Sequence, residues 1–146
     1  MGLGEALAIP FAHFVRSLAW PVEAVIPIPL SPKRYQERGY NQVALVAYPL
    51  ALHLQLPYLS QALRRVRETR SQVGLSAQDR RQNVRDAFEA RSEWVRGKSV
   101  LLVDDVATTG ATLSSASEAL LSAGAARVYA VTLARSHHFS GGTYDA

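Results

Sequence analysis

The chain of 146 residues contains no cysteine, which excludes disulfide bridges, thiolate metal sites and a cysteine nucleophile. Its proportions of hydrophobic (48%) and charged (19%) residues are typical of a folded globular protein rather than a disordered or fibrous one. Long apolar runs are also missing, because Glu5, His13 and Arg16 interrupt the amino-terminal segment well before the ~20 apolar residues that a membrane span needs. No basic segment precedes Leu3–Phe11, which argues against a signal peptide. We therefore expect one cytoplasmic domain covering residues 1–146.

The charge is unevenly distributed along the chain. Sixteen basic residues, fourteen of them arginine, face twelve acidic ones, for a net charge of +4. Arginine makes bidentate contacts to phosphate, which favours phosphorylated partners; a compositional or thermal-stability preference is the alternative. Nine arginines fall within residues 61–96, which we interpret as a long basic excursion, partly mobile. Within it we expect a short strand at Val84–Phe88 and a surface helix at Ser76–Arg85.

Apolar spacing and proline positions outline the first half of the chain. Residues 1–21 are predicted to hold an amphipathic helix broken near Pro10 or Pro21, from the three- and four-residue spacing of Leu7, Phe11, Phe14, Val15 and Leu18. Val22–Leu30 is predicted to be a strand that ends, or runs along an edge, at Pro27 and Pro29.

A second helix is expected to follow. Asn41 is positioned to cap a helix that runs to about Leu54 and is kinked or split at Pro49. A short extended piece is predicted at Pro57–Leu59.

The second half contains the clearest pattern. Ser99–Val103 is a continuous apolar strand of the kind that is buried on both faces of a parallel sheet. A helix over Thr112–Ala123, ended by Gly124, and a strand at Arg127–Leu133 complete a right-handed βαβ unit. The fold class is therefore α/β, a parallel twisted sheet flanked by helices, with residues 136–146 as a flexible tail.

Polar residues gather where the apolar strand ends. Asp104 and Asp105 come directly after it, at the edge where open α/β sheets bind ligands. The following loop opens a helix, so its backbone N–H groups can point at an anion, and Gly110 lets the backbone approach closely. A phosphate cradle beside two carboxylates suits a sugar phosphate. The alternative is an ordinary turn, in which Ser115 and Glu118 form a capping box and the helix starts later.

The thirteen residues VLLVDDVATTGAT, Val100–Thr112, resemble the phosphoribosyl diphosphate (PRPP) signature of the type I phosphoribosyltransferases. That resemblance implies the type I phosphoribosyltransferase-like fold. It assigns Asp104 and Asp105, as the catalytic pair, to the ribose hydroxyls. The loop that it assigns to the 5-phosphate consists of Ala107, Thr108, Thr109, Gly110, Ala111 and Thr112.

Two further segments, Ile26–Ser31 and Arg38–Gln42, are similar to the ComF/GntX group of amidophosphoribosyltransferase-like proteins. So is a spaced pattern made of Arg65, Thr69, Gln72, Leu75, Ser76, Arg80, Asn83, Ala87 and Phe88. The resemblance places a diphosphate loop at Pro29–Arg38 and a flexible loop or hairpin at residues 64–85. The candidate diphosphate donors are Lys33, Arg34, Arg38, Arg65 and Arg80.

The same resemblance implies an activity: transfer of phosphoribosyl from PRPP with release of diphosphate, with Mg²⁺ as cofactor. Family members carry a cysteine-rich zinc module, so we expect that module to be missing here or carried by another chain. Purine-salvage relatives have an aspartate where this chain has Thr108. Its absence argues against a hypoxanthine- or guanine-type enzyme and leaves the nucleophile unidentified.

Two alternatives to turnover stay open. One is a regulatory module that binds PRPP or a nucleotide without turnover. The other follows from the group's role in competence: a protein that handles single-stranded DNA, or meets competence proteins, through an arginine groove. The groove would be formed by Arg64, Arg65, Arg67, Arg70, Arg80, Arg81 and Arg85. Few aromatic residues lie nearby for base stacking, which weakens the DNA interpretation. A homodimer is also left open.

Overall fold

A computed structural model describes residues 3–30, 36–37, 39, 41–66, 87–106 and 110–134, and the structural statements below refer to these residues. The predicted tail at 136–146, and the predicted helix at Ser76–Arg85, lie outside them. The helices and strands follow in the order α1 (Leu3–Ser17), β1 (Ala24–Pro27), α2 (Ala44–Leu54), β2 (Leu63–Arg65), β3 (Phe88–Ala90), α3 (Ser92–Val95), β4 (Ser99–Val106), α4 (Ala111–Ser122) and β5 (Arg127–Ala134).

Strand β4 is the centre of a parallel three-stranded sheet with the order β1-β4-β5. Ala24 of β1 pairs with Val100 on one side, and Ser99 pairs with Arg127 of β5 on the other. All four residues of Val100–Val103 have an exposed fraction of 0%. A strand with neighbours on both edges and no exposed apolar residue is what the continuous apolar run predicts. The predicted α/β class, a parallel sheet flanked by helices, is confirmed.

The two faces of the sheet are covered by different elements, because successive side chains of a strand point to opposite sides. Leu101 and Val103 belong to a cluster with the apolar faces of α1 and α2. Val100 and Leu102 belong to a second cluster with α4 and the β2–β3 hairpin. Truncating a leucine buried this completely costs about 2–5 kcal/mol of unfolding free energy, so β4 anchors both layers.

Of the two predicted breaks, the one near Pro10 is wrong, and the helix ends at Ser17, before Pro21. Helix α1 runs without interruption from Leu3 to Ser17 and includes Pro10. Pro10 lies on the exposed side, where water can satisfy the carbonyl that loses its N–H partner. Packing of Ala8, Ala12 and Val15, all at most 3% exposed, holds the helix together.

Proline has different consequences in the next two elements. Helix α2 contains Pro49 and is not split by it, since Val46, Ala47 and Leu50 pack against the sheet. Strand β1 does end at Pro27, as predicted, although it begins at Ala24 instead of residue 22.

The predicted extended piece at 57–59 is confirmed: it runs parallel to β1, with the N–H of Val25 donating to the carbonyl of Pro57 (2.9 Å).

The basic excursion, residues 61–96, contains an antiparallel pair of strands, β2 and β3. Leu63 pairs with Ala90, and Arg65 pairs with Phe88. The strand expected at Val84–Phe88 therefore begins only at Phe88 among the described residues, and residues 67–86 between the two strands lie outside them. The short helix α3 was not predicted, because four residues are too few to show a helical period.

Helix α4 ends in the glycine motif that the sequence predicts. The N–H of Gly124 donates to the carbonyl of Leu121 (3.0 Å), and the N–H of Ala125 donates to that of Leu120 (3.1 Å). These two bonds form a Schellman motif, with Gly124 at φ +107°. The turn directs the chain from α4 into β5, which closes the βαβ unit.

No helix in the described part of the chain is both long and apolar enough to cross a membrane.

Replacing Gly124 by alanine should lower the unfolding free energy by about 1–3 kcal/mol, since a Cβ is strained at this φ and would lie 3.4 Å from Cγ of Arg96. Urea denaturation followed by circular dichroism measures the loss. Ser122→Ala, in the last turn of the same helix, is the control and should change stability by less than about 0.5 kcal/mol. Equal stability of Gly124→Ala and the wild type would contradict the prediction.

Tyr58 should make the fold sensitive to alkaline pH. Burial raises the pKa of its phenol to about 12 from the ordinary value of 10.0. Between these values the unfolded chain loses the proton that the folded chain retains, so stability falls as the pH rises through this window. Tyr58→Phe removes this contribution and should flatten the decline in urea melts recorded from pH 9 to about pH 11. Tyr48→Phe, on the exposed ring whose centroid is 5.3 Å from that of Tyr58, is the control and should follow the wild type.

Candidate functional site

The carboxyl end of β4 forms the centre of the site. β4 continues to Val106, three residues beyond the predicted end, because Asp104 pairs with Thr132 of β5 and Val106 with Ala134. Asp104 and Asp105 therefore belong to the strand, where a loop was expected. The side chain of Asp104 is half-buried and already has an interaction within the protein. The edge of the sheet thus presents carboxylate-bearing residues on a rigid element.

The segment after β1 reaches the same edge. The N–H of Ile28 donates to the carbonyl of Val103 (2.8 Å), the residue just before Asp104. Pro29 and Leu30 follow Ile28 and are half-buried. The beginning of the predicted diphosphate loop therefore lies beside the predicted ribose-binding end of β4.

Helix α4 starts close to this edge in sequence and opens at a glycine in the left-handed conformation. Gly110 has φ +81° and ψ 0°, and its carbonyl accepts the first hydrogen bond of the helix, from the N–H of Ser114 (2.8 Å). A Cβ on Gly110 would meet no described atom within 4 Å, so its backbone conformation, rather than lack of space, calls for glycine. The helix begins at Ala111, one residue before the predicted start at Thr112 and well before a Ser115 capping box would place it.

The amino end of α4 has the electrostatic character that a phosphate site needs. The helix's own hydrogen bonds begin only with the N–H of Ser114, so earlier N–H groups point away from the helix body. The aligned peptide dipoles add partial positive charge there. Ala111 and Thr112 of the predicted loop are described at this end. Ala107, Thr108 and Thr109 lie outside the described residues.

Asn41 is the polar residue at this edge whose importance was underestimated from the sequence. Its Nδ2 donates to the carbonyl of Ile28 (3.1 Å), and its Oδ1 accepts from the N–H of Val43 (3.0 Å). The second bond lies in the turn before α2: the N-cap position is Val43, with no side-chain cap, so Asn41 precedes the helix instead of capping it as predicted. The first connects two segments thirteen residues apart, and no local sequence signal indicates it.

Two of the seven arginines expected to form the groove are described, Arg64 and Arg65, and they lie on opposite faces of the hairpin. The guanidinium carbon of Arg65 is 4.7 Å from the ring centroid of Phe88, a cation–π contact. Arg64 instead donates from Nε and Nη2 to Oε1 of Glu89, at 3.1 and 2.7 Å. Both members of this pair are more than half exposed, so it adds little stability. Adjacent strand residues cannot both face one groove, so Arg64 and Arg65 do not share the surface expected for DNA.

The remaining cationic candidates lie outside the described residues, so their prediction is untested. They are Lys33, Arg34, Arg38, Arg67, Arg70, Arg80, Arg81 and Arg85.

The parallel sheet with helices on both faces, and the polar residues at its carboxyl edge, define an open α/β domain. The sequence model of the phosphoribosyl transferase domain matches residues 41–140. The chain therefore belongs to the phosphoribosyltransferase domain family, and the family resemblance inferred from the sequence is confirmed.

Among curated proteins, the chain is 42% identical over 132 residues to competence protein F of Haemophilus influenzae, a match that covers 88% of this chain and 57% of the relative. It is 39% identical over 134 residues to the DNA utilization protein YhgH of Escherichia coli O157:H7, covering 91% and 59%. Competence protein ComFC of Bacillus subtilis is 36% identical, with 87% and 47% covered. The chain thus spans only about half the length of the curated relatives that it matches.

Solved structures agree on the fold. Glutamine PRPP amidotransferase from B. subtilis, in complex with ADP and GMP, superposes with a TM-score of 0.57 at 26% identity, covering 90% of this chain and 25% of that one. Adenine phosphoribosyltransferase from Thermoanaerobacter pseudethanolicus has a TM-score of 0.53 at 18% identity, covering 89% of this chain and 69% of that one. The second likeness supports the fold alone.

Proposed function

We propose that the chain binds PRPP, or a related ribose 5-phosphate compound, at the carboxyl edge of the sheet. One observation carries the proposal: the central strand brings Asp104 to the edge beside which the phosphate-binding sequence opens α4 at Gly110. Carboxylates accept hydrogen bonds from the ribose hydroxyls, and the N–H groups at the helix end bind the 5-phosphate. The family membership and the likeness to a PRPP amidotransferase support this ligand class.

Mg²⁺ fits this site as part of the ligand complex rather than as a resident ion. The described residues hold no group of three or more His, Cys, Asp or Glu side chains that could hold a metal. Mg²⁺ commonly binds through one or two carboxylates, several waters and substrate phosphates. Asp104 and Asp105 would supply carboxylate oxygens of the kind that this ion prefers. Bound Mg²⁺ would neutralise charge on the diphosphate.

The reaction that such a site supports is displacement at C1 of the ribose. The bond between C1 and the diphosphate oxygen breaks, the diphosphate leaves with the electron pair, and a bond forms between C1 and an acceptor nucleophile. Positive charge develops on the sugar as diphosphate leaves, so carboxylates at the ribose stabilise that transition state. The chain's own residues bind and orient the sugar phosphate, which lowers the entropic part of the barrier.

Calorimetric titration with PRPP, in the presence and absence of Mg²⁺, tests the proposal. We expect saturable binding that depends on Mg²⁺. Asp105→Asn and Thr109→Ala should each weaken PRPP binding about tenfold, because each removes a charged or hydroxyl partner of the ligand, while the thermal midpoint stays close to that of the wild type. Glu118→Gln, on the exposed part of α4, is the matched control and should bind like the wild type. If both site variants fold and bind like the wild type, the site assignment is wrong.

Turnover separates an enzyme from a regulatory module built on the same site. An enzyme releases diphosphate from PRPP when the acceptor is present, so screening nucleobases and amines with a diphosphate assay identifies the acceptor. PRPP binding with no diphosphate release across the screen would favour the non-catalytic regulator. Either role is compatible with competence and DNA use, the processes named for the relatives, in which we propose that this chain also acts.

The DNA-handling alternative is favoured by the relatives' names and makes a separate prediction. A protein that holds single-stranded DNA through phosphate contacts should lose affinity steeply as salt rises, with a log–log slope close to the number of phosphates neutralised. Fluorescence anisotropy with a labelled oligonucleotide at several salt concentrations measures this slope. Arg64→Gln should leave it almost unchanged, because that guanidinium is engaged by Glu89. Absence of binding at low salt would rule out the alternative.

A further inference from the structure

We propose that Asn41 is a positioning residue for the ligand site, and that it selects for PRPP over ribose 5-phosphate by fixing the end of β1. The inference rests on the proposed function, because it concerns how the same sheet edge distinguishes two ligands. Asn41 lies outside the loop to which the resemblance assigns the 5-phosphate, in the segment Arg38–Gln42 that also carries the family resemblance.

The oxygen and the nitrogen of the Asn41 side-chain amide each make a hydrogen bond to a backbone group. Its Oδ1 accepts from the N–H of Val43 at 3.0 Å, which satisfies one backbone donor in the turn that leads into α2. Its Nδ2 donates to the carbonyl of Ile28 at 3.1 Å. The side chain is partly buried, so losing either bond leaves a backbone group short of a partner in a place of limited water access.

The bond to Ile28 falls where the regular sheet stops. Pro27 is the last residue of β1, and the N–H of Ile28 makes one more bond to β4, at the carbonyl of Val103. Beyond it, Pro29 has no N–H to offer. The carbonyl of Ile28 is thus held by the Asn41 side chain, which fixes the direction in which the chain leaves the sheet.

The direction in which the chain leaves β1 should affect the binding of only one end of the ligand. The 5-phosphate belongs to the amino end of α4, after β4 and Gly110. The diphosphate is what PRPP has and ribose 5-phosphate lacks, and the resemblance assigns it to the segment that begins at Pro29, directly after Ile28. A residue that fixes this segment therefore affects PRPP binding without affecting 5-phosphate binding.

Only a primary amide satisfies both backbone groups from this position, because it carries a donor and an acceptor on one short side chain. Aspartate keeps the acceptor for Val43 but places a carboxylate oxygen against the carbonyl of Ile28. Serine, a favourable helix-capping residue, also keeps an acceptor near the start of α2 but is too short to reach Ile28. Both substitutions therefore retain the helix-start contact and remove the connection to β1.

The test is calorimetric titration of the full chain with Mg²⁺–PRPP and, separately, with ribose 5-phosphate. For Asn41→Asp we expect PRPP affinity to fall about three- to tenfold while ribose 5-phosphate affinity changes less than about twofold. Asn41→Ser should behave in the same way and serves if the aspartate variant does not fold. Thermal midpoints recorded on the same samples report any general loss of structure.

Glu23→Ala is the matched control. The carboxylate of Glu23 accepts from the N–H of Ser99 at 2.8 Å, so it also joins the neighbourhood of β1 to β4 by a side chain–backbone bond, but at the amino end of the sheet. This variant should lower the thermal midpoint and leave the ratio of the two affinities unchanged. A change in that ratio is therefore specific to the edge that Asn41 holds.

Two results would overturn the inference, and they are distinguishable from failure of the proposed function. If the wild type binds PRPP but both Asn41 variants keep the wild-type ratio of affinities, Asn41 does not position the site. If both affinities fall together in proportion to the thermal midpoint, Asn41 is only structural. If the wild type binds neither ligand, the proposed function itself is wrong and this inference falls with it.

Discussion

The whole molecule depends on burying β4 on both faces and both edges. Its apolar residues supply the centre of two separate clusters, one under α1 and α2 and one under α4 and the hairpin. Its backbone is hydrogen-bonded to β1 on one side and β5 on the other. Such a strand has little freedom to shift, because sliding by one residue would exchange the side chains of the two layers. The residues directly after the apolar run therefore have a fixed position at the edge of the sheet, and in this chain they are Asp104 and Asp105.

The site lies where the regular hydrogen bonding of the sheet and helix ends. Strand β1 stops at Pro27, and α4 starts after a glycine at positive φ. Each such end leaves backbone groups that secondary structure does not use. Some are satisfied by the protein itself, as Asn41 does for Ile28. At the first turn of α4, the helix's own hydrogen bonds begin with the N–H of Ser114.

The βαβ unit was predictable from local sequence, and the reasons are specific. Four consecutive apolar residues, 100–103, are typical of a strand buried on both faces of a parallel sheet, and Gly124 supplies the conformation that ends α4. The prediction of a break at Pro10 failed because tertiary packing outweighs the cost of one lost helical bond, and α2 likewise continues through Pro49. The hairpin strands, three residues each, are too short for a period-2 pattern to set their boundaries.

The site was predictable in part. The carboxylates and the helix start could be placed because they adjoin β4 in sequence. The contact from Asn41 to Ile28 could not, since it joins residues thirteen apart: both lie in segments that carry the family resemblance, but nothing in either segment indicates that the two residues are bonded. The opposite orientations of Arg64 and Arg65 follow from strand geometry, but only once the strand itself is known. The number of arginines in the segment does not indicate which way each side chain points.

The chemistry of the edge also constrains how an anionic ligand can bind there. Asp104 and Asp105 favour hydroxyl groups and cations and repel phosphate, whereas the amino end of α4 attracts phosphate. A sugar phosphate with one phosphate group meets both demands by directing that group to the helix and its hydroxyls to the carboxylates. A ligand with a second phosphate group at the other end of the sugar brings negative charge back towards the carboxylates. It therefore requires a counter-charge, which Mg²⁺ or the basic side chains after β1 would have to supply. If Mg²⁺ supplies most of this positive charge, the metal discriminates between ligands with one and two phosphate groups. If the basic side chains supply most of it, the protein does.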